Sequence, residues 1–314
     1  MSARKVVIWS STDSRPVAQT TFGESQVVWQ TVVDSKRRRA VILIIENGIF
    51  IVETLGFDGT LRRLGALDFD TSRFETGCMM FLSNNWFWTY GNTVAQLDPQ
   101  GGEWLGVLTG DEVYVVEVGD DDLSAPRLVG RHSGARRNIS CDPLDRYVAT
   151  GGEDGEFRFW SLTGGQPPTT FQGPPDWRSF WFTVDGKLFQ AGVPATGNWV
   201  TWLWKVDGGA PQLVQRADVG GVGGLAWNWD ADGKSVARPG PGVTQFRLWP
   251  MRKLNDADPI ELRRGNTQGV KRMVFHPHGR WLATADLAGV ALWPLGRAYP
   301  SVIRRHTANV TGLA

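Results

Sequence analysis

Phe157-Arg158-Phe159-Trp160-Ser161-Leu162 is a short apolar strand that closes on a tryptophan, and its echoes along the chain decide the fold. Stretches of the same build are Val6-Val7-Ile8-Trp9, Ile49-Phe50-Ile51-Val52, Val113-Tyr114-Val115-Val116, Val200-Thr201-Trp202-Leu203-Trp204, Phe246-Arg247-Leu248-Trp249 and Val290-Ala291-Leu292-Trp293. Their closing residues fall at 9, 52, 116, 160, 204, 249 and 293, with gaps of 43, 64, 44, 44, 45 and 44. Self-similarity at a fixed period of this size marks a repeat architecture.

A second landmark recurs ahead of these strands. It is a tight turn: Pro99-Gln100-Gly101-Gly102, Pro143-Leu144-Asp145, Val184-Asp185-Gly186, Ala231-Asp232-Gly233 and Pro277-His278-Gly279. Proline pre-sets the turn dihedral, and Gly or Asp tolerates the left-handed position. Short apolar runs flank each turn, such as Ile139-Ser140-Cys141 before it and Tyr147-Val148-Ala149-Thr150 after it. No stretch sustains a helical period. Each unit thus reads as strand, turn, strand, turn, closing strand and a fourth strand, for which Gln212-Leu213-Val214 and Ser301-Val302-Ile303 are examples.

One four-stranded sheet cannot bury both of its faces alone. About seven of them stacked around an axis can, with few exposed edges. The expected fold is all-β: a seven-bladed β-propeller of four-stranded antiparallel blades, one domain over residues 1–314, with an incomplete closing blade. Residues 131–164 carry a family resemblance. Arg131-His132 opens the unit, Pro143 marks the turn, and Thr150-Gly151-Gly152-Glu153-Asp154-Gly155 leads into Phe157-Arg158-Phe159-Trp160. This resembles a WD40 repeat, with Arg in place of the usual Gly before His. Residues 264–295 resemble another, through Phe275-His276-Pro277-His278-Gly279-Arg280-Trp281-Leu282-Ala283-Thr284 and Leu292-Trp293.

The resemblance implies a buried polar chain in the first unit, running from Trp160 through Thr150 and His132 to Asp154. Unpaired buried polar groups cost ~1–3 kcal/mol each, so such a chain is kept whole or lost as a block. In the second unit Asn266 replaces His and Ala288 stands in the place of Asp, so its network is expected to be lost to apolar packing. His132 and Asp154 therefore read as structural rather than catalytic.

Two irregularities stand out. The 64-residue gap exceeds one period by about 20 residues, too few for a further blade, and the surplus falls in 65–93. There Cys78-Met79-Met80-Phe81-Leu82 and Trp86-Phe87-Trp88-Thr89-Tyr90 flank Ser83-Asn84-Asn85, the pattern of an inserted or degenerate hairpin. At the ends, the chain opens on a closing strand and a fourth strand at Pro16–Thr20, and finishes on Arg305-His306-Thr307, the start of a new unit. By resemblance, one blade would be built from both termini. Its second strand is missing, so it has three strands or the chain is a fragment of a longer, bacterial repeat protein; the fragment is the favoured expectation.

The composition narrows the function. Lys+Arg number 33 and Asp+Glu 32, for a net charge of +1, which argues against nucleic-acid binding by bulk charge. The two cysteines, Cys78 and Cys141, fit no metal spacing and read as buried thiols in a reducing compartment. The longest aliphatic run, Ala40 to Ile45, is far short of the ~20 residues a membrane span needs. A soluble, cytoplasmic chain is expected, with no membrane contact.

Motifs that suggest chemistry fail on spacing. Gly220-Gly221-Val222-Gly223-Gly224 and Gly233-Lys234-Ser235 lack the glycine a phosphate loop needs at 228, which is Asn228. Asn228, Asp230 and Asp232 begin a calcium loop, but Pro239 stands at its closing position. Proline between His276 and His278 holds the two imidazoles apart, so no metal or other cofactor is expected. Lys36-Arg37-Arg38-Arg39 and Asp120-Asp121-Asp122 read as solvated surface, active only by steering a charged partner. No catalytic residue is assigned. The expected function is a non-enzymatic scaffold for proteins or peptides. By resemblance its contacts fall near the loop before the closing strand, at Arg136, Arg137 and Glu153. A ligand-sensing or hydrolytic propeller with a site in the central channel is the alternative.

Overall fold

The computed structural model describes residues 4–10, 15–67, 69, 79–82, 85–88, 93–97, 102–177, 179–183, 186–195, 198–218, 228–229, 235–239, 245–250, 260–263, 272–275, 281–286, 289–295 and 301–304. A hairpin pairs β1 (Arg4–Trp9) with β2 (Pro16–Phe22). The first sheet follows as β3 (Gln26–Asp34), β4 (Arg39–Glu46), β5 (Ile49–Gly56) and β6 (Leu61–Leu67). A second hairpin joins β7 (Met79–Leu82) to β8 (Asn85–Trp88), the two runs expected to form one. The second sheet is β9 (Thr93–Leu97), β10 (Trp104–Thr109), β11 (Glu112–Glu117) and β12 (Arg127–Arg131). The third is β13 (Ala135–Cys141), β14 (Tyr147–Gly152), β15 (Glu156–Ser161) and β16 (Thr169–Gln172). The fourth is β17 (Ser179–Phe182), β18 (Leu188–Ala195), β19 (Asn198–Lys205) and β20 (Gln212–Asp218). The fifth is β21 (Asn228–Trp229), β22 (Ser235–Pro239), β23 (Gln245–Pro250) and β24 (Ile260–Arg263). The sixth is β25 (Arg272–Phe275), β26 (Trp281–Asp286), β27 (Gly289–Pro294) and β28 (Ser301–Arg304).

Every sheet is an antiparallel meander in chain order. Residues 52, 116, 160, 204, 249 and 293 all fall on third strands, which explains the even spacing. Gln212–Val214, Ser301–Ile303 and Pro16–Thr20 lie on β20, β28 and β2, as their sequence pattern requires. In the turn between β13 and β14, Asp145 takes a positive φ of 56°, the left-handed position that Asp tolerates. Asn266, Ala288, His276–His278, the glycine run 220–224 and the stretch 305–314 lie outside the described residues.

Burial follows strand order. β4 (Arg-Ala-Val-Ile-Leu-Ile-Ile-Glu) is buried at its first seven positions, because both faces of the sheet are covered. Outer strands alternate instead, as β2 and β6 do. Along β4, Val41, Leu43 and Ile45 pack with Leu97, Leu105 and Val107 of the second sheet. Ala40, Ile42 and Ile44, on the opposite face, pack with Ile8, Ala18 and Phe22 of the first hairpin. Leu108 and Val115 then meet Ile139, Val148 and Trp160 of the third sheet. Ala149, Phe157 and Phe159 meet Phe180, Phe182, Phe189 and Trp204 of the fourth. Phe157 lies within 6 Å of five rings in this last layer, from Phe180 and Phe189 at 5.3 Å to Trp204 at 5.9 Å. Successive sheets therefore stack face to face, with first strands side by side: β3 with β9, β9 with β13, β13 with β17, and β21 with β25. Among the described residues no helix is long and apolar enough to cross a membrane.

Candidate docking face

The meander sorts the connections onto two ends. Turns between first and second strands, and between third and fourth, emerge at one end, the turn end. Loops between second and third strands, and those leading to the next sheet, emerge at the other, the loop end.

At the loop end, His132 follows β12 and Thr150 lies on β14. Val148 on β14 pairs with Trp160 on β15, so Thr150, two residues on, is the diagonal neighbour of Trp160 on one face. Trp160 Nε1 donates to Thr150 Oγ1 at 2.8 Å, and Thr150 Oγ1 lies 2.7 Å from His132 Nδ1. All three are buried. The indole uses one lone pair of the hydroxyl, leaving its proton for a neutral imidazole Nδ1. Neutrality is enforced: burial first, and then the Arg158 guanidinium, push the His132 pKa down to about 4. Asp154 sits differently. Its Oδ1 accepts the Glu156 backbone N–H at 2.9 Å, and the carboxylate facing His132 Nε2 is that of Glu156, at 3.9 Å. Close packing completes the wall. A Cβ on Gly130 would fall 2.1 Å from the Trp160 ring, so only glycine lets β12 lie against the next sheet there. That glycine stands one residue ahead of the Arg131 that departs from the family pattern.

The sixth sheet keeps the inner half of this arrangement. Leu282 pairs with Trp293, Thr284 is again the diagonal neighbour, and Trp293 Nε1 donates to Thr284 Oγ1 at 2.9 Å, both buried. The expected loss of the whole network is thus corrected. The Trp–Thr bond needs only strand register, and register is preserved without His or Asp.

The candidate contacts lie at the same end. Glu153 is exposed in the β14–β15 loop, and its backbone N–H donates to Gly134 O at 3.1 Å. Arg136 and Arg137 are strand residues of β13. Ala135 pairs with Gly152 and Ile139 with Thr150, so β13 carries two residues more than β14 in this interval. This β-bulge, at residues 136–138, was not legible in the strand pattern. Nearby acids are engaged: Glu112 accepts from Tyr114 at 2.8 Å and Arg131 at 2.6 Å, and Glu156 from Arg158 at 2.6 Å. The Glu112 carboxylate holds the Tyr114 hydroxyl protonated above its ordinary range.

The turn end adds a pairing. The basic cluster 36–39 and the acidic loop 120–122 face each other across the first two sheets. Arg37 reaches Glu103 at 2.6 Å and Asp120 at 2.7 Å, Arg39 lies 3.7 Å from Asp120, and Arg62 pairs with Asp121. Arg39 also donates to Gly119 O at 3.1 Å while its Nε lies 3.4 Å from buried Asp34. Both clusters are solvated, as their sequence suggests, apart from buried Arg39; what the sequence does not show is that sheet stacking brings the two turns of opposite charge together, so that each partly offsets the other. The third and fourth sheets repeat the device. Arg146 binds buried Asp142 through Nε at 2.5 Å and Nη2 at 3.2 Å, then crosses to Gly186 O at 2.6 Å. Such bidentate pairs are directional as well as strong.

Comparison with known proteins agrees with this geometry. The β-propeller domain of Cps50 (Swd1) from Myceliophteria thermophila superposes with a TM-score of 0.63 at 14% identity, over 93% of this chain and 90% of that one. The fold is a β-propeller. Two segments of the propeller, residues 127–161 and 258–293, match the family described as WD domain, G-beta repeat. No curated protein matches the chain in sequence. The first matched segment opens on β12 of the second sheet and ends on β15 of the third; the second runs likewise from β24 to β27. Repeat and sheet are therefore out of step by one strand in the propeller.

Proposed function

We propose that the chain is a non-enzymatic scaffold that docks other proteins or peptides on its loop end, with Arg136, Arg137 and Glu153 among the contacts and His132, Thr150, Asp154 and Trp160 in structural roles. β1 and β2 occupy the third- and fourth-strand places of a seventh, closing blade in this reading. One observation carries it. At the turn end the clustered charges are engaged between sheets, whereas the loop end sets exposed loops on a wall of buried, neutral, mutually bonded side chains. Rigid walls with variable loops are how a scaffold presents contacts. His132, the one described histidine, is neutral and bonded through Nδ1, which suits a strut rather than a proton-transfer group. The similarity to the Cps50 (Swd1) propeller domain is one of fold.

Site-specific photocrosslinking tests the reading. A photoreactive residue at Glu153 is compared with one at Leu144, which is half exposed in a turn-end turn. In cells, the loop-end position is expected to trap a discrete protein and the turn-end position none. Equal trapping at both ends, or trapping only at 144, overturns the assignment.

A further inference from the structure

Among the described residues β1 and β2 form a sheet of two strands, and two strands alone are marginal in water. Their hold depends on what lies beneath them. We infer that this hairpin is held over the first sheet while Glu53 keeps its proton, and loosens when that carboxyl ionises. The device is independent of which end docks a partner.

The placement of Glu53 carries the inference. It lies on β5, opposite Ile42 of β4 and Arg63 of β6, and so shares their face. Its neighbours along that face of β5 are Ile51 and Leu55. With Ala40, Ile42 and Ile44 they pack under Ile8, Ala18 and Phe22 of the hairpin, and β2 runs against β5. An acid thus stands in an apolar layer. Glu53 is 8% exposed, and its Oε2 is buried with no hydrogen-bond partner among the described residues.

The charged groups of this face do not relieve it. Arg63 is half exposed, and its Nη1 lies 4.0 Å from Glu46 Oε2. Glu46, four residues beyond Ile42 on β4, adds a like charge. β3 sets Thr31 opposite Ile42 and Val28 opposite Ile44, and carries no charged residue on this face. β2 carries none at all. On β1, Val6 and Ile8 share the face, Lys5 is exposed on the other, and Arg4 stands at the open end opposite Phe22. Burial first pushes the Glu53 carboxyl up from its ordinary range; Arg63 pulls it back and Glu46 adds to the push. An unpaired carboxylate in an apolar layer is costly. Lifting a two-stranded cover hydrates it without breaking the four-stranded sheet beneath. The covered carboxyl holds its proton more tightly than the open one. Protons therefore favour the closed hairpin, and the hold is lost as pH rises through the covered titration. The sign is opposite to that of His132.

Hydrogen exchange on the whole chain, read by mass spectrometry, tests this, with each segment's rate divided by its intrinsic rate at the same pH. Between pH 5 and 8, protection of 4–22 is expected to fall about threefold or more, and that of β14 and β15 not to fall. E53Q keeps the shape without ionising and is expected to stay protected at pH 8. E53M, apolar and of similar length, repeats the test without an amide. K5Q, on the other face of the hairpin, is expected to leave the pH dependence unchanged. Protection of 4–22 that does not change with pH, or that falls equally in E53Q and E53M, overturns the inference. A parallel fall in β14 and β15 overturns it too, because the whole ring and not the hairpin would then be loosening.

Discussion

The two ends of the propeller are fastened by different chemistry. At the turn end, Asp34 with Arg39 and Asp142 with Arg146 tie one sheet to the next through charged pairs, the first buried and the second hydrated only on its arginine side, that finish on backbone carbonyls. At the loop end, Trp160, Thr150 and His132 make a neutral chain with no water-exposed member. The difference teaches where each fastening can be loosened. A pair with an exposed arginine answers to salt and tolerates loss of its carboxylate, because water replaces it around the guanidinium. A buried neutral chain ignores salt, and fails when a partner is removed or a proton is added.

The largest effect should come from Thr150→Val, which keeps the shape and leaves the Trp160 N–H and His132 Nδ1 unpaired inside. The loss should be about 3 kcal/mol, since each orphaned group costs ~1–3 kcal/mol. Urea unfolding measures it, and the loss should be the same in 0.5 M NaCl. A loss below 0.5 kcal/mol would mean that the chain is incidental.

Acid comes next. The unfolded imidazole takes up a proton near pH 6.5, whereas the folded one resists until about 4. Protons therefore favour the unfolded chain throughout that window: the stability is intact above 6.5 and falls as pH drops towards 4. At pH 5 the loss should be about 1.5 kcal/mol after allowance for screening. His132→Gln should flatten this part of the profile. A profile of unchanged steepness would place the acid sensitivity elsewhere.

Smallest is the turn-end clamp. Asp142→Ala should cost about 1 kcal/mol, because Arg146 is about a quarter exposed and keeps Gly186 O. Unlike the loop-end loss, this one should shrink in 0.5 M NaCl. If salt leaves it unchanged, the two ends are held by one chemistry after all, and the contrast falls.

How much of this the amino-acid order carries depends on the range of each interaction. Strand order, the turn at Pro143–Asp145 and the pairing of 79–82 with 85–88 are legible because they depend on residues within one period. The Trp160–Thr150 bond is legible through resemblance; its partial copy at Trp293 and Thr284 is not, because a missing His and Asp in the sequence say nothing of the strand register that makes it. Pairing of Arg37 with Asp120 was not legible. The two lie on different sheets, and strand alternation says which residues are buried, not which turns meet. The bulge at 136–138 escaped for a similar reason: two extra residues in a strand leave no mark until the partner strand is aligned with it.

The one-strand offset between repeat and sheet reaches beyond stability. A copy of residues 127–161 made by gene duplication would not arrive as a self-contained building block. It would carry the edge of one sheet and most of the next, so it could enter the circle only by lending a strand to one neighbour and borrowing one from another. Growth by whole units is thereby self-sealing, and a break between units strands two partners at once.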